Sequence, residues 1–197
     1  MNKQELLDEL RRSGIEENIL KIMEKIPREN FVLPQDKKYA YSNYPLEICE
    51  GQTISQPLTV ALMTQWLDVQ EGQKILEAGS GSGYQAVILS EMAGTEGKVI
   101  TYEIRKRLYE FARNNLMDYK NVKIIHGNPV KMEQKMKFDR VIVTASATKM
   151  PESLLGCLKD GGKMVVPIGD EMYLIEKHGD KIKKEMKGYF SFVPLIE

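Results

Sequence analysis

The sequence predicts an α/β protein: a doubly wound, mostly parallel sheet of seven strands beneath an N-terminal layer of helices and loops. Three observations carry this. From residue 59 onward, short apolar runs rich in Val and Ile alternate with segments of helical period, the pattern of a parallel sheet covered on both faces. A glycine-rich turn, "EAGSGSGY" at 77–84, joins the first of those runs to a helix. The chain before residue 59 has two helical stretches and then a long segment without clear period. A chain of 197 residues suits one sizeable core better than two. One domain over 1–197 is therefore expected, with a helical and loop segment at 1–58 and the sheet-forming core at 59–197.

The elements follow in order. Residues 4–12 and 15–26 read as helices, with Leu6, Leu7 and Leu10 on one face and Ile15, Ile19, Ile22, Met23 and Ile26 continuing at helical spacing. Gly14 separates them and Pro27 ends the second. Residues 27–57 hold four prolines and the run "YAY". So long a loop in a compact domain is usually functional or disordered, and its aromatics favour function. Helices are then expected at 58–69, 84–94, 105–119 and 151–158. Strands are expected at 73–79, 98–104, 121–127, 138–147, 161–169, 171–178 and 189–196.

Composition narrows the function classes. Lys plus Arg and Asp plus Glu both number 28, which argues against a broad nucleic-acid footprint. No apolar run reaches the roughly 18–20 residues of a membrane span, and the charged N-terminus lacks a signal-peptide core. Cys49 and Cys157 are the only cysteines; they form neither metal spacing nor a disulfide framework. A cytoplasmic, reduced protein without a metal is expected. The eleven methionines read mostly as core filler.

The glycine turn carries the chemistry. Gly79, Gly81 and Gly83 allow a tight turn and close approach to a ligand. A dinucleotide fingerprint wants a third glycine at 84, where Tyr stands. The spacing G-x-G-x-G is instead the form expected for S-adenosylmethionine binders, with Ser80 inside the loop. Glu103 ends the second strand about 20 residues on, where a carboxylate accepts from ribose hydroxyls. Glu77, ending the first strand, either orients the loop or meets the amino-acid part of the ligand. Asn128, after the third strand, either faces an adenine edge with its donor and acceptor or simply makes an Asn-Pro turn. His126 and His178 have no acid partner in any motif and read as structural or surface residues.

Beyond these local signals, the chain resembles the protein-L-isoaspartate O-methyltransferase family. The resemblance rests on "GQTISQP", "EAGSGSGYQAVILSE", "VIVTASA" with "MPESLLGCLKDGGKMVVPIG", "IPRENFVLP…YAYSNYPLEI" and the late "FVPL". It spans about residues 22–195 and implies a Rossmann-like methyltransferase sheet. It also implies methyl transfer from S-adenosylmethionine to the α-carboxylate of L-isoaspartyl residues in damaged proteins and peptides. The resulting ester closes to a succinimide, from which normal aspartate is partly recovered. The serine usually assigned to the family's active site matches Ser55, with Thr53, Ile54 and Tyr41 on the substrate side and Gln56 on the cofactor side. The chain departs from the family at Gly127-Asn128-Pro129, where Gly-Asp-Gly is usual. A monomer that binds neither nucleic acid nor membrane is expected. The tRNA adenosine methyltransferases, which "EAGSGSG" with "GKVITYEIRKRLYEFARNNL" also resembles, are the alternative, with Arg105, Lys106, Arg107 and Arg113 as either phosphate contacts or a solvated helix face; a cofactor-binding relative without turnover is the third.

The hydroxyl-rich loop has its own physical logic. A carboxylate is ionised at neutral pH, with an ordinary pKa of roughly 4, so no general base is needed. Its oxygen must be held in line with the methyl carbon and sulfur at roughly 3–3.5 Å. Opposite charges vanish on the way to the transition state, so neutral donors such as Thr53 and Ser55 hold the oxygens without opposing attack. The competing role for these two hydroxyls is to cap the helix that starts near Leu58. The aromatic segment Tyr39, Tyr41 and Tyr44 either walls a peptide site or packs the loop down. The run "FSFVPLI" is expected at the site mouth, where an extended peptide could pair with it.

Overall fold

The computed structural model describes residues 1–131 and 136–196. Met132, one of the methionines read as core filler, and the end of the expected domain at 197 lie outside them.

The N-terminal layer begins with α1 (Lys3–Arg12) and α2 (Glu17–Lys25). Asn2 and Glu5 form a reciprocal capping box at the start of α1, and Leu6, Leu7 and Leu10 are buried. Helix α2 is shorter than expected because Glu16 and Ile26 are already extended; Ile15 and Ile26 are nevertheless buried. The long segment after Pro27 is largely ordered by 3-10 turns at Arg28–Phe31 and Pro34–Tyr39. It then makes a small hairpin of β1 (Leu46–Glu47) and β2 (Thr53–Ile54).

The core follows as α3 (Pro57–Leu67), β3 (Lys74–Ala78), α4 (Tyr84–Ala93), β4 (Lys98–Glu103), α5 (Lys106–Asn115), β5 (Val122–His126), β6 (Phe138–Val143), α6 (Glu152–Gly156), β7 (Leu158–Ile168), β8 (Glu171–His178) and β9 (Lys181–Tyr189). Seven strands form one sheet in the order β5-β4-β3-β6-β7-β8-β9. Strands β3 to β7 pair in parallel, and β8 and β9 are added as antiparallel hairpins. The α/β class, the seven strands and the mostly parallel pairing are as the sequence predicts.

The last strand is not where the sequence reading placed it. Strand β9 is the polar run "KIKKEMKGY", exposed along most of its length as a sheet edge, so it lacks the apolar pattern by which strands are found. The expected strand at 189–196 is only one bridge, Ser146 to Pro194. Pro194 has no N–H to extend a ladder.

Each face of the sheet has its own core. On one face the N-terminal layer, α3 and α4 pack together, with Leu10, Ile19, Leu67, Ile88 and Ile142 buried in it. On the other lie Leu76, Phe138, Val141, Leu154 and Met164. Helix α4 is buried nearly all round, because α2 and α3 cover the side away from the sheet; this accounts for its lack of amphipathic pattern. Among the described residues no helix is long and apolar enough to cross a membrane.

Candidate active site

Strand order reverses at β3, whose neighbours are β4 and β6. In open α/β sheets the carboxyl ends of strands at such a reversal form the binding crevice. A cleft of about 920 Å³, open to solvent, lies there.

The glycine turn forms its floor. Gly79, Gly81 and Gly83 have φ of +101°, +53° and +88°, values that favour glycine. The Gly79 and Ser80 N–H groups both donate to the Tyr102 carbonyl at 3.0 Å, and the Ser80 and Thr101 hydroxyls bond at 2.6 Å. The Gly81 N–H donates to Glu103 Oε2 at 3.0 Å. Thr144, beyond β6, closes the turn by donating Oγ1 to the Gly79 carbonyl at 2.5 Å. A Cβ on Gly79 would stand 2.5 Å from that oxygen.

Two carboxyls enter the cleft, as Glu77 and Glu103 were expected to. Glu103 is held by backbone donors, its Oε1 accepting from Arg105 N–H at 2.9 Å. Burial still pushes its pKa up, offset by those bonds. Glu77 is wholly buried, and both of its oxygens lack a hydrogen-bond partner. Burial pushes its carboxyl up to about 8; the nearby Thr101 hydroxyl, already engaged with Ser80, offsets this in part, and Glu103 adds to it. Of the two roles weighed for Glu77, orienting the loop has no hydrogen bond behind it.

The hydroxyl loop is the β1–β2 hairpin and the residues after it. Thr53, Ile54 and Ser55 all line the same cleft as the glycine turn. Neither hydroxyl caps α3. The cap position is Gln56, which makes no side-chain cap bond, and the Leu58 N–H is taken by Asn43 Oδ1 at 3.1 Å. Asn43 thus caps the helix from 15 residues away. Gln56, expected at the cofactor, instead spends its amide on the Asn43 carbonyl at 3.0 Å and on Thr59, and is not among the residues lining the cleft. Tyr41 also lies off the lining: its hydroxyl donates to Glu29 and its ring takes Lys3 at 5.5 Å. Its loop-packing role is the one the geometry displays.

Asn128 lines the cleft, but its amide is in use. Oδ1 accepts from Val130 N–H at 3.0 Å and Nδ2 donates to the Ile196 carbonyl at 2.8 Å. Val193 to Ile196 form a wall of the same cleft, which places "FVPL" at the mouth as expected. Arg105, at the rim, faces Glu50 at 3.5 Å, so part of the basic cluster is neutralised within the chain. His126 bonds the Ile104 carbonyl and packs on Tyr109, a structural role.

Sequence reasoning missed Arg28. It is fully buried, donating to the Ala40 carbonyl at 2.9 Å and the Ser55 carbonyl at 2.7 Å. Its guanidinium lies 4.8 Å from the Tyr84 ring centre. One side chain thereby joins the aromatic loop, the hydroxyl loop and the helix after the glycine turn. Thr144 was missed too. The only sequence signal for Arg28 was a charge beside Pro27 just where helical period stops.

These groups fit S-adenosylmethionine. A glycine turn admits close backbone approach, Glu103 offers a carboxylate for hydroxyls, and Glu77 offers an unpaired buried acid to a positively charged ligand. Among the described residues no cluster of three or more His, Cys, Asp or Glu is arranged to hold a metal.

Known proteins agree with this geometry. The protein-L-isoaspartate(D-aspartate) O-methyltransferase (PCMT) family matches residues 1–197. The protein-L-isoaspartate O-methyltransferase of Methanopyrus kandleri is 43% identical, over 98% of this chain and 91% of its own. That of Pyrobaculum islandicum is 42% identical, over 96% and 97%. A Plasmodium falciparum crystal structure, described as a protein-L-isoaspartate O-methyltransferase in complex with S-adenosyl-L-homocysteine, superposes with a TM-score of 0.89 at 30% identity, covering 100% of this chain and 99% of its own. With the family matched from end to end and the cleft built as its chemistry requires, this chain belongs to the protein-L-isoaspartate(D-aspartate) O-methyltransferases.

Proposed function

We propose that this chain methylates the α-carboxylate of L-isoaspartyl residues in damaged proteins and peptides, using S-adenosylmethionine, and so starts their repair through a succinimide. One observation carries the assignment of roles: Thr53 and Ser55 line the same cleft as the glycine turn, while the cap they would otherwise supply comes from Asn43. Bound S-adenosylmethionine supplies an electrophilic methyl group on a sulfonium. Gly79, Ser80, Gly81 and Gly83 form its bed, Glu103 accepts from ribose hydroxyls, and Glu77 offsets positive charge. Asn128 stands beside them at the cleft wall.

Ser55 and Thr53 donate hydrogen bonds to the substrate carboxylate, and Ile54 between them sets their alternation. The carboxylate oxygen they hold would be the nucleophile for that methyl group, with the sulfonium sulfur as its leaving group. No proton moves, so the site needs no base. Arg28 holds the Ser55 backbone through its carbonyl. Neutral donors favour the ionised carboxylate over the less charged transition state by less than a cation would. We further propose that residues 1–58 and 59–197 act as one unit, as a cytoplasmic monomer without nucleic acid.

The test is methyl transfer from radiolabelled S-adenosylmethionine to two matched peptides, one with an isoaspartyl and one with a normal aspartyl linkage. Label is expected in the isoaspartyl peptide only. Equal labelling of both, or of neither, would overturn the assignment.

A further inference from the structure

We propose that Asn128 is a positioning residue: it fastens residues 193–196 along the cleft and so slows cofactor entry and release. The inference rests on the reading that this cleft takes S-adenosylmethionine.

The late segment has few attachments. Ser146 N–H donates to the Val193 carbonyl at 2.8 Å and Leu195 N–H to the Ser146 carbonyl at 2.7 Å. Pro194 lies between them and brings no donor, so the pairing stops at one bridge. Leu195 packs partly onto the core of Leu76 and Phe138, while Ile196 is 44% exposed. The third tie is the Asn128 amide to the Ile196 carbonyl, 2.8 Å across 68 residues of sequence.

Asn128 is suited to this by its own restraint. Its Oδ1 is taken by the Val130 N–H two residues on, Pro129 after it is buried, and Gly127 N–H is bonded to the Glu103 carbonyl at 2.9 Å. The amide is thus fixed with its NH₂ toward the late segment. An aspartate would keep the bond to Val130 but has no hydrogen to donate, and its charge would face the Ile196 carbonyl oxygen. The tie depends on an asparagine at this position.

The opposite wall is anchored differently. The residue after the β1–β2 hairpin is tied by the buried Arg28, and Ile54 of that wall is a core residue. A ligand held between two walls of a cleft leaves faster when one of them loosens. Segments with few buried contacts and exposed hydrogen bonds open first. By that criterion the wall that gives is the one Asn128 holds.

Two readouts test this on the intact chain: release of tritiated S-adenosyl-L-homocysteine, and hydrogen exchange of the Leu195 and Ile196 amides without ligand. In Asn128→Asp and Asn128→Ala, release is expected to accelerate about fivefold, the worth of one hydrogen bond. Exchange at Leu195 is expected to rise by a similar factor, with Asn128→Asp at least as large in both. Faster release with unchanged exchange would overturn the proposal, because Asn128 would then act by touching the ligand. Unchanged release in both variants would overturn it while leaving the cofactor assignment standing. A wild-type chain that binds no S-adenosyl-L-homocysteine would overturn both.

Discussion

Glu77 and Glu103 lie at the ends of neighbouring parallel strands, carry identical side chains into one cleft, and are both buried. Their surroundings differ at the level of single donors. Glu103 accepts from the Gly81 and Arg105 N–H groups, which stabilise it as an anion with lone pairs left for ligand hydroxyls. Glu77 has no partner for either oxygen, and burial pushes it up to about 8, so at neutral pH the ligand-free protein holds it mostly as the neutral acid. A charged ligand that replaces the missing donors changes the state of Glu77 but only adds to that of Glu103. Position on the sheet brings a carboxyl to the site, and the backbone around it decides what the carboxyl does.

The glycine turn links the two acids, since Glu77 precedes it and Glu103 grips it, so breaking the turn tests both at once. Gly79→Ala puts a Cβ 2.5 Å from Thr144 Oγ1 at a φ of +101°. Strain and displacement together are expected to weaken S-adenosyl-L-homocysteine binding on the order of 100-fold, measured by calorimetric titration. Gly81→Ala has no neighbour closer than 3.8 Å and only the strain of φ +53°, so its loss should be smaller; the reverse order would mean that the turn is not held by Thr144.

Glu77→Gln sharpens the comparison through pH. The folded carboxyl titrates near 8 and the unfolded one at roughly 4.3. Between those values the folded state holds a proton that the unfolded state has lost, so stability falls as pH rises through that window. Glutamine cannot ionise and escapes that loss. The variant should therefore gain on wild type by an amount on the order of a few kcal/mol between pH 5 and 9, read from thermal melts at each pH. A constant difference across the range would show that Glu77 is not an unpaired acid. Glu103→Gln turns an acceptor into an NH₂ group facing a backbone donor, and S-adenosyl-L-homocysteine affinity should fall about 30-fold.

The legible and illegible parts of this site divide by distance along the chain. The glycine turn, Glu77 and Glu103 were visible because strand, turn and next strand end come within 30 residues of one another and each carries a local period. The role of Thr53 and Ser55 could not be separated from helix capping, because the competitor, Asn43, reaches Leu58 across a loop without period. Arg28 reaches Ser55 across 27 residues, and Asn128 reaches Ile196 across 68; nothing in the local pattern of either residue encodes its partner. Gln56 was placed on the cofactor side through the family resemblance, whereas its amide bonds the Asn43 carbonyl 13 residues away. Strand β9 was missed because an edge strand facing water has no apolar alternation to read.

The smallest effect sets a neutral donor against the two acids. Ser55 lines the cleft and its hydroxyl makes no cap, and Arg28 binds its carbonyl rather than its side chain. Ser55→Ala therefore removes a donor without touching the anchor. Turnover on an isoaspartyl peptide should drop about tenfold, one good hydrogen bond to a charged group. Affinity for S-adenosyl-L-homocysteine and the melting temperature should stay near wild type, since neither Glu77, Glu103 nor the α3 cap depends on it. A change in melting temperature of several degrees would return Ser55 to a structural role and leave the carboxylate without its assigned donor. If instead turnover fell with a pH dependence that tracked Glu77, the neutral and ionisable parts of the cleft would be coupled, and the separation between them would fail at that residue.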